Sequence, residues 1–185
     1  MTTLGIIVEY NPFHNGHLYH LQQAKRMTNS DTTIAIMSGD FLQRGEPAIV
    51  DKWTRTKMAL AHGVDLVVEL PVVYSTQAAD WFAFGSTFLL HQLHVDHFVF
   101  GSEAGSIVPL NRLANVLLEE PSLLKHHIKE NLSLGHSYPK AVSLSLRHYF
   151  REEGFQLFRP NDILGLQYIY PVSYTHLRAH ETVLD

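Results

Sequence analysis

The chain has 185 residues, of which 45% are hydrophobic and 17% charged. That is enough apolar material for one ordinary domain with a real core, and too much for a disordered tail. The absence of cysteine excludes disulfides, thiolate metal sites and a cysteine nucleophile. No apolar run approaches the roughly 18 residues that a membrane span needs, and Met1-Thr2-Thr3-Leu4-Gly5 lacks the basic and apolar regions of a secretory signal. The expectation is a cytoplasmic protein with no membrane partner. The net charge of −4 is unevenly spread: residues 112–159 carry 7 Lys/Arg against 5 Asp/Glu, yet no segment has the basic face of an autonomous nucleic-acid binder.

In chain order, Leu4-Gly5-Ile6-Ile7-Val8-Glu9-Tyr10 is a short apolar, β-branched run, the mark of a strand buried on both faces. Asn11-Pro12-Phe13-His14-Asn15-Gly16 is loop material, and a helix is expected from about Gly16 to Met27. Residues 32–37 predict a second strand, ending at Ser38-Gly39-Asp40. Asp51 is placed to cap a helix running through Ala61, with Gly63 just past its end. Residues 64–70 predict a third strand closed by Pro71, residues 76–92 a helix, and His97-Phe98-Val99-Phe100 a fourth strand leading to Gly101-Ser102-Glu103.

Strands alternating with helices of this length imply βαβ units and a parallel sheet, so the fold class is α/β, a Rossmann-like doubly wound domain over residues 1–106. Residues 107–170 read as a helical extension, from recurring positions such as Leu110, Leu113, Val116 and Leu117. Residues 171–185 continue no earlier pattern and read as a spurious translated tail, to be left out of functional reasoning. Trp53, Trp81, Phe82 and Phe84 read as core or helix-packing aromatics. Thirteen histidines invite a metal, but no set of them has a recognised ligand spacing, so no metal site is assigned.

Ligands of doubly wound sheets bind outside the carboxyl ends of the strands. At the end of the first strand stands His14-Asn15-Gly16-His17. Free N–H groups and the positive end of the following helix dipole favour phosphate there, and Gly16 lacks the β-carbon that would block close approach. His14 and His17, three apart, present two donors for the charge that develops when a nucleotide α-phosphate is attacked. Neither the dinucleotide fingerprint GxGxxG nor a Walker A sequence occurs after the first strand.

The stretch from Gly5 to His17 resembles the opening of the nucleotidyltransferase superfamily with HxGH motifs. With Met37-Ser38-Gly39-Asp40-Phe41-Leu42-Gln43-Arg44-Gly45-Glu46-Pro47-Ala48, Phe100-Gly101-Ser102-Glu103 and Arg159-Pro160-Asn161-Asp162-Ile163-Leu164-Gly165, it more narrowly resembles the tRNA(Met) cytidine acetate ligase family. The resemblance covers residues 1 to about 170, and family members are longer. It implies an ATP-dependent ligase that forms acetyl-adenylate from acetate and transfers the acetyl group to N4 of the wobble cytidine of elongator tRNA(Met). It also implies ATP contacts at Ile7, Val8, Glu9, Tyr10, Asn11, Pro12, Phe13, His14, Asn15, Gly16, His17, Leu18, Tyr19 and His20, at Gly101 and at Asn161, with Mg²⁺ accompanying ATP.

Beside the resemblance, the residue types suggest roles. His14 and His17 hold the triphosphate, Asp40 positions Mg²⁺ or the acceptor, and Arg44 neutralises acetate or phosphate. Two other readings compete: a small-molecule nucleotidyltransferase of coenzyme synthesis, and an inactive ATP-binding fragment. The oligomeric state is not legible.

Overall fold

The computed structural model describes residues 1–102, 107–150, 160–172 and 178–183. Five parallel strands form one sheet in the order β3-β2-β1-β4-β5. They are β1 (Thr3–Val8), β2 (Thr32–Ser38), β3 (Leu66–Leu70), β4 (His97–Ser102) and β5 (Arg178–Val183). Helices α1 (Asn15–Thr28) and α2 (Lys52–Ala61) connect the first three strands, and α3 (Val72–Ser75) with α4 (Ala79–Gln92) returns the chain to β4 beside β1. Strand order therefore reverses between β1 and β4. This is the switch point at which sheets of this kind open a crevice.

The pleat sends alternate side chains to opposite faces, and the two faces build two cores. Ile34, Ile36, Phe98 and Phe100 join Phe82, Leu90, Leu110 and Tyr168 on one side. Ala35, Met37 and Val99 join Leu21, Ala24 and Ala59 of α1 and α2 on the other. The Rossmann-like fold expected from the sequence is present. Element ends differ by up to three residues: the helix expected over 76–92 is α4, which begins at Ala79, and the short α3 ahead of it was not expected.

Beyond β4 come α5 (Ile107–Glu119), α6 (Ser122–Ser133), α7 (Tyr138–Phe150) and α8 (Pro160–Val172). α8 matters most for the site. Ser102 Oγ donates to Asp162 Oδ1 at 2.6 Å, tying the end of β4 to the first turn of α8. At Gly165 a β-carbon would run into the Phe100 ring, so glycine is what lets the helix lie against the strand. The helix continues through Pro171 and ends at Val172. Segment 178–183, which the sequence pattern leaves without an element, pairs with β4 from His97↔Arg178 to Ser102↔Val183. Edge pairing satisfies main-chain groups whatever the side-chain pattern, which is why periodicity gave no sign of it.

The aromatic reading needs correction. Phe82 is buried, but Trp53, Trp81 and Phe84 are 69%, 55% and 44% exposed. On α4, Phe82 faces the sheet while Trp81, Phe84 and Phe88 share the opposite face at helical spacing. They pack on one another, with ring centroids 5.9 and 6.2 Å apart.

Candidate active site

The chain leaves β1 through Tyr10, buried and in the left-handed region at φ 49°, and turns through Asn11, Pro12 and Phe13 into His14. His14 has extended backbone and is the N-cap of α1. A helix start leaves N–H groups without partners, and here two imidazoles supply acceptors reciprocally. Gly16 N donates to His14 Nδ1 at 3.1 Å, and His14 N donates to His17 Nδ1 at 3.3 Å. A β-carbon on Gly16 would lie 3.0 Å from His14 Cε1. Gly16 thus makes room for the capping ring as well as for any ligand.

An imidazole nitrogen that accepts an N–H carries no proton. Both Nδ1 atoms accept, so the neutral rings are both Nε2–H tautomers and each keeps one donor on the side away from the backbone. The rings stack with centroids 3.7 Å apart, and Tyr10 packs against His17 at 4.9 Å. Burial, then the neighbouring His14 and His20, pull the His17 pKa from the usual 6.5 to about 4. Burial does the same to His20. The His20 Nε2 and the Tyr10 hydroxyl are buried without a hydrogen-bond partner, polar atoms that native folds rarely leave unmatched unless a ligand or solvent completes them.

These groups border a cavity of about 700 Å³ at the β1/β4 switch point. Of the residues expected to contact ATP, Ile7, Val8, Glu9, Tyr10, Asn11, Pro12, His14, Gly16, His17, His20 and Gly101 line it; Phe13, Asn15, Leu18 and Tyr19 do not. Asn161 falls in the first turn of α8, and its side chain lies outside the described residues. Arg44 lines the cavity. Asp40 does not: its carboxylate accepts from Lys52 N at 3.4 Å, and Lys52 Nζ lies 3.8 Å away while bonding both Glu69 oxygens at 2.9 Å.

Sequence reasoning missed five side chains on the wall: Leu42 and Glu46 from the 39–50 loop, Phe100 from β4, and Leu164 and Tyr168 from α8. The Ile-Leu-Gly spacing after Asp162 was the one available signal for α8. It also missed what Glu9 and Asn11 do. Glu9 Oε1 accepts from Gln43 N and Asn11 Oδ1 from Ile49 N, both at 2.7 Å. These carboxylate and amide oxygens hold the 39–50 loop against the β1 exit. Within the loop Ala48 N donates to Asp40 O, and Leu42 N to Glu46 O, at 2.9 Å.

The cavity thus brings the N-terminus of α1 and two Nε2–H donors together with Arg44, with glycine and apolar wall at Gly101, Leu164 and Tyr168, a lining suited to an anion. The model of the family described as HIGH Nucleotidyl Transferase matches residues 1–180. The chain belongs to the HIGH nucleotidyl transferase family.

Similarity within the family is concentrated on one kind of enzyme. The chain is 53% identical over 169 residues to the tRNA(Met) cytidine acetate ligase of Caldicellulosiruptor saccharolyticus, covering 91% of this chain and 42% of that protein. It is 52% identical over 170 residues to that of Bacillus subtilis strain 168, covering 91% and 41%. The crystal structure of Thermotoga maritima TmcAL bound with alpha-thio ATP superposes with a TM-score of 0.95 at 45% identity, covering all of this chain and 47% of that one. The chain thus spans less than half the length of the relatives it matches. This HIGH nucleotidyl transferase carries the histidine pair of its motif at the mouth of its own switch-point cavity. Among the described residues no helix is long and apolar enough to cross a membrane, and no group of three or more His, Asp or Glu side chains is arranged to hold a metal ion.

Proposed function

We propose that this chain is the nucleotide-binding part of an ATP-dependent acetate ligase that modifies the wobble cytidine of elongator tRNA(Met). The observation that carries the reading is the reciprocal histidine cap, two Nε2–H donors beside the N-terminus of α1 that line one cavity with Arg44. About 50% identity to tRNA(Met) cytidine acetate ligases, and close likeness to a structure holding an ATP analogue, support it.

A carboxylate oxygen of acetate attacks the α-phosphorus of ATP, and the bond to the leaving pyrophosphate breaks. His14 and His17 donate to phosphate oxygens as charge builds there, the role for which fixed, preorganised donors are suited. The cytidine N4 lone pair then attacks the acetyl carbonyl carbon. The carbon–oxygen bond to AMP breaks and N4 loses a proton. Mg²⁺ would accompany the triphosphate and offset its charge; among the described residues no carboxylate or histidine cluster is arranged to hold it. Gly101 gives the adenosine room beside the end of β4, and Asn161 contacts base or ribose. Arg44 neutralises acetate or phosphate. Asp40, on the rim with Lys52, orients the acceptor. The reactions are those of a cytoplasmic, RNA-binding enzyme.

Acetate-dependent exchange of labelled pyrophosphate into ATP tests the first step, and transfer of labelled acetyl to elongator tRNA(Met) tests the second. Exchange that requires acetate and disappears in both His14→Ala and His17→Ala supports the reading. Turnover of ATP with a phosphorylated metabolite and no need for acetate would replace it with the coenzyme-type nucleotidyltransferase. ATP binding without either reaction would leave a binding fragment.

A further inference from the structure

One side chain outside the cavity fastens both ends of the loop that brings Arg44 and Glu46 to it. Arg55, in the first half of α2, has no solvent exposure and is the largest fully buried side chain among the described residues. Its Nε donates to Val50 O at 2.9 Å, its Nη1 to Glu9 O at 2.6 Å and Ser38 O at 3.1 Å, and its Nη2 to Gly39 O. Those carbonyls belong to the β1 exit, the end of β2 and the two ends of the 39–50 loop. Where strands stop, carbonyls lose their ladder partners and need others. A planar guanidinium meets four acceptors in different directions at once, which an ammonium on a flexible stem does not. Burial favours its neutral form, and a buried charge persists only where its donors are matched.

We propose that Arg55 is a positioning residue for the ligase reaction. By joining the last carbonyls of β1 and β2 to both ends of the 39–50 loop, it sets the spacing between the histidine turn and the wall that carries Arg44 and Glu46. Three local amides report on that spacing, those of Gln43, Ala48 and Ile49, each bonded to a fixed acceptor. The inference rests on the reading of the cavity as an adenylate-forming site. Its consequence for the loop can be read without activity.

The test is Arg55→Lys in the 185-residue chain, followed by amide hydrogen exchange and by acetate-dependent ATP–pyrophosphate exchange. Lysine keeps the charge but not the four-way bond. The expected result is a loss of protection of about tenfold or more at Gln43, Ala48 and Ile49, with the amides of Leu21, Ala24 and Val99 unchanged. With it, kcat falls by about ten- to a hundredfold while KM for ATP moves less than about threefold, as expected when a reacting group is displaced by about 1 Å. Unchanged loop amides would overturn the proposal. So would loss of protection throughout the chain, which would mark Arg55 as a folding residue only, and so would loosened loop amides with unaltered kcat. If the unsubstituted chain shows no exchange reaction, the functional reading fails. Arg55 is then judged on the loop amides alone, where unchanged protection would still overturn it.

Discussion

His14 and His17 each accept a backbone N–H on Nδ1, and their rings stack 3.7 Å apart at 25°. One arrangement therefore does two things. It caps α1 in the manner of a Ser/Glu capping box, and it fixes which nitrogen of each ring carries the proton.

The two tasks separate on substitution. In His14→Ala the Gly16 N–H loses its acceptor, and stability should fall by about 1 kcal/mol. His14→Asn restores a good N-cap, so its stability should stay within about 0.5 kcal/mol of the unsubstituted chain. ATP affinity should fall in both, because neither side chain offers Nε2–H. Urea unfolding with calorimetric titration checks this, and full ATP affinity in His14→Asn would reduce His14 to a cap.

Stability should depend on pH in a defined window. The folded pKa of His17 and of His20 is about 4, against about 6.5 for the unfolded chain. Between those values the unfolded state binds more protons, so stability rises with pH and is lost as pH falls from about 6.5 to 4. After discounting His17 for partial exposure, the two together account for roughly 2 to 4 kcal/mol. Urea midpoints measured from pH 7.5 to 4 should fall accordingly, and much less in the His17→Gln, His20→Gln double variant.

Gly165→Val tests whether α8 is part of the site. The added β-carbon meets the Phe100 ring, and overpacking of this kind costs about 1–3 kcal/mol. The helix that moves carries Leu164 and Tyr168 on the cavity wall. ATP affinity should fall along with thermal stability. A loss of stability alone would make α8 a lid on the core with no part in binding.

Asp40 gives the opposite expectation for ATP. It stands off the cavity, beside Lys52, so Asp40→Asn should change ATP affinity by less than about threefold, as expected for an exposed pair. An effect on acetyl transfer to tRNA with unchanged pyrophosphate exchange would place Asp40 with the acceptor. A large loss of ATP binding would bring it into the nucleotide site.

The fold was legible because its cues are local and repeated: Ile34-Ala35-Ile36 and Phe98-Val99-Phe100 read as strands buried on both faces, and Asp51 does cap α2, accepting from Thr54 N at 3.0 Å. The histidine turn was legible because its residues are contiguous. Arg55 was not, since one arginine four residues past an N-cap looks like any helix-surface cation until three separate segments converge on it. Glu9 and Asn11 were placed at the site, but their grip on Gln43 and Ile49 spans 34 and 38 residues. Spacing carries no information at that range. Trp53 misled for the converse reason: hydrophobicity argues burial, and only the packed structure shows which helix face a tryptophan occupies.

The most direct test of the central claim is ¹⁵N-histidine NMR at pH 7.5, with and without ATP. The account predicts that His14 and His17 are both Nε2–H tautomers in the free chain, and that ATP shifts their Nε2 resonances while both Nδ1 atoms remain acceptors. An Nδ1–H tautomer at either residue, or saturating ATP that leaves both rings unperturbed, would contradict it.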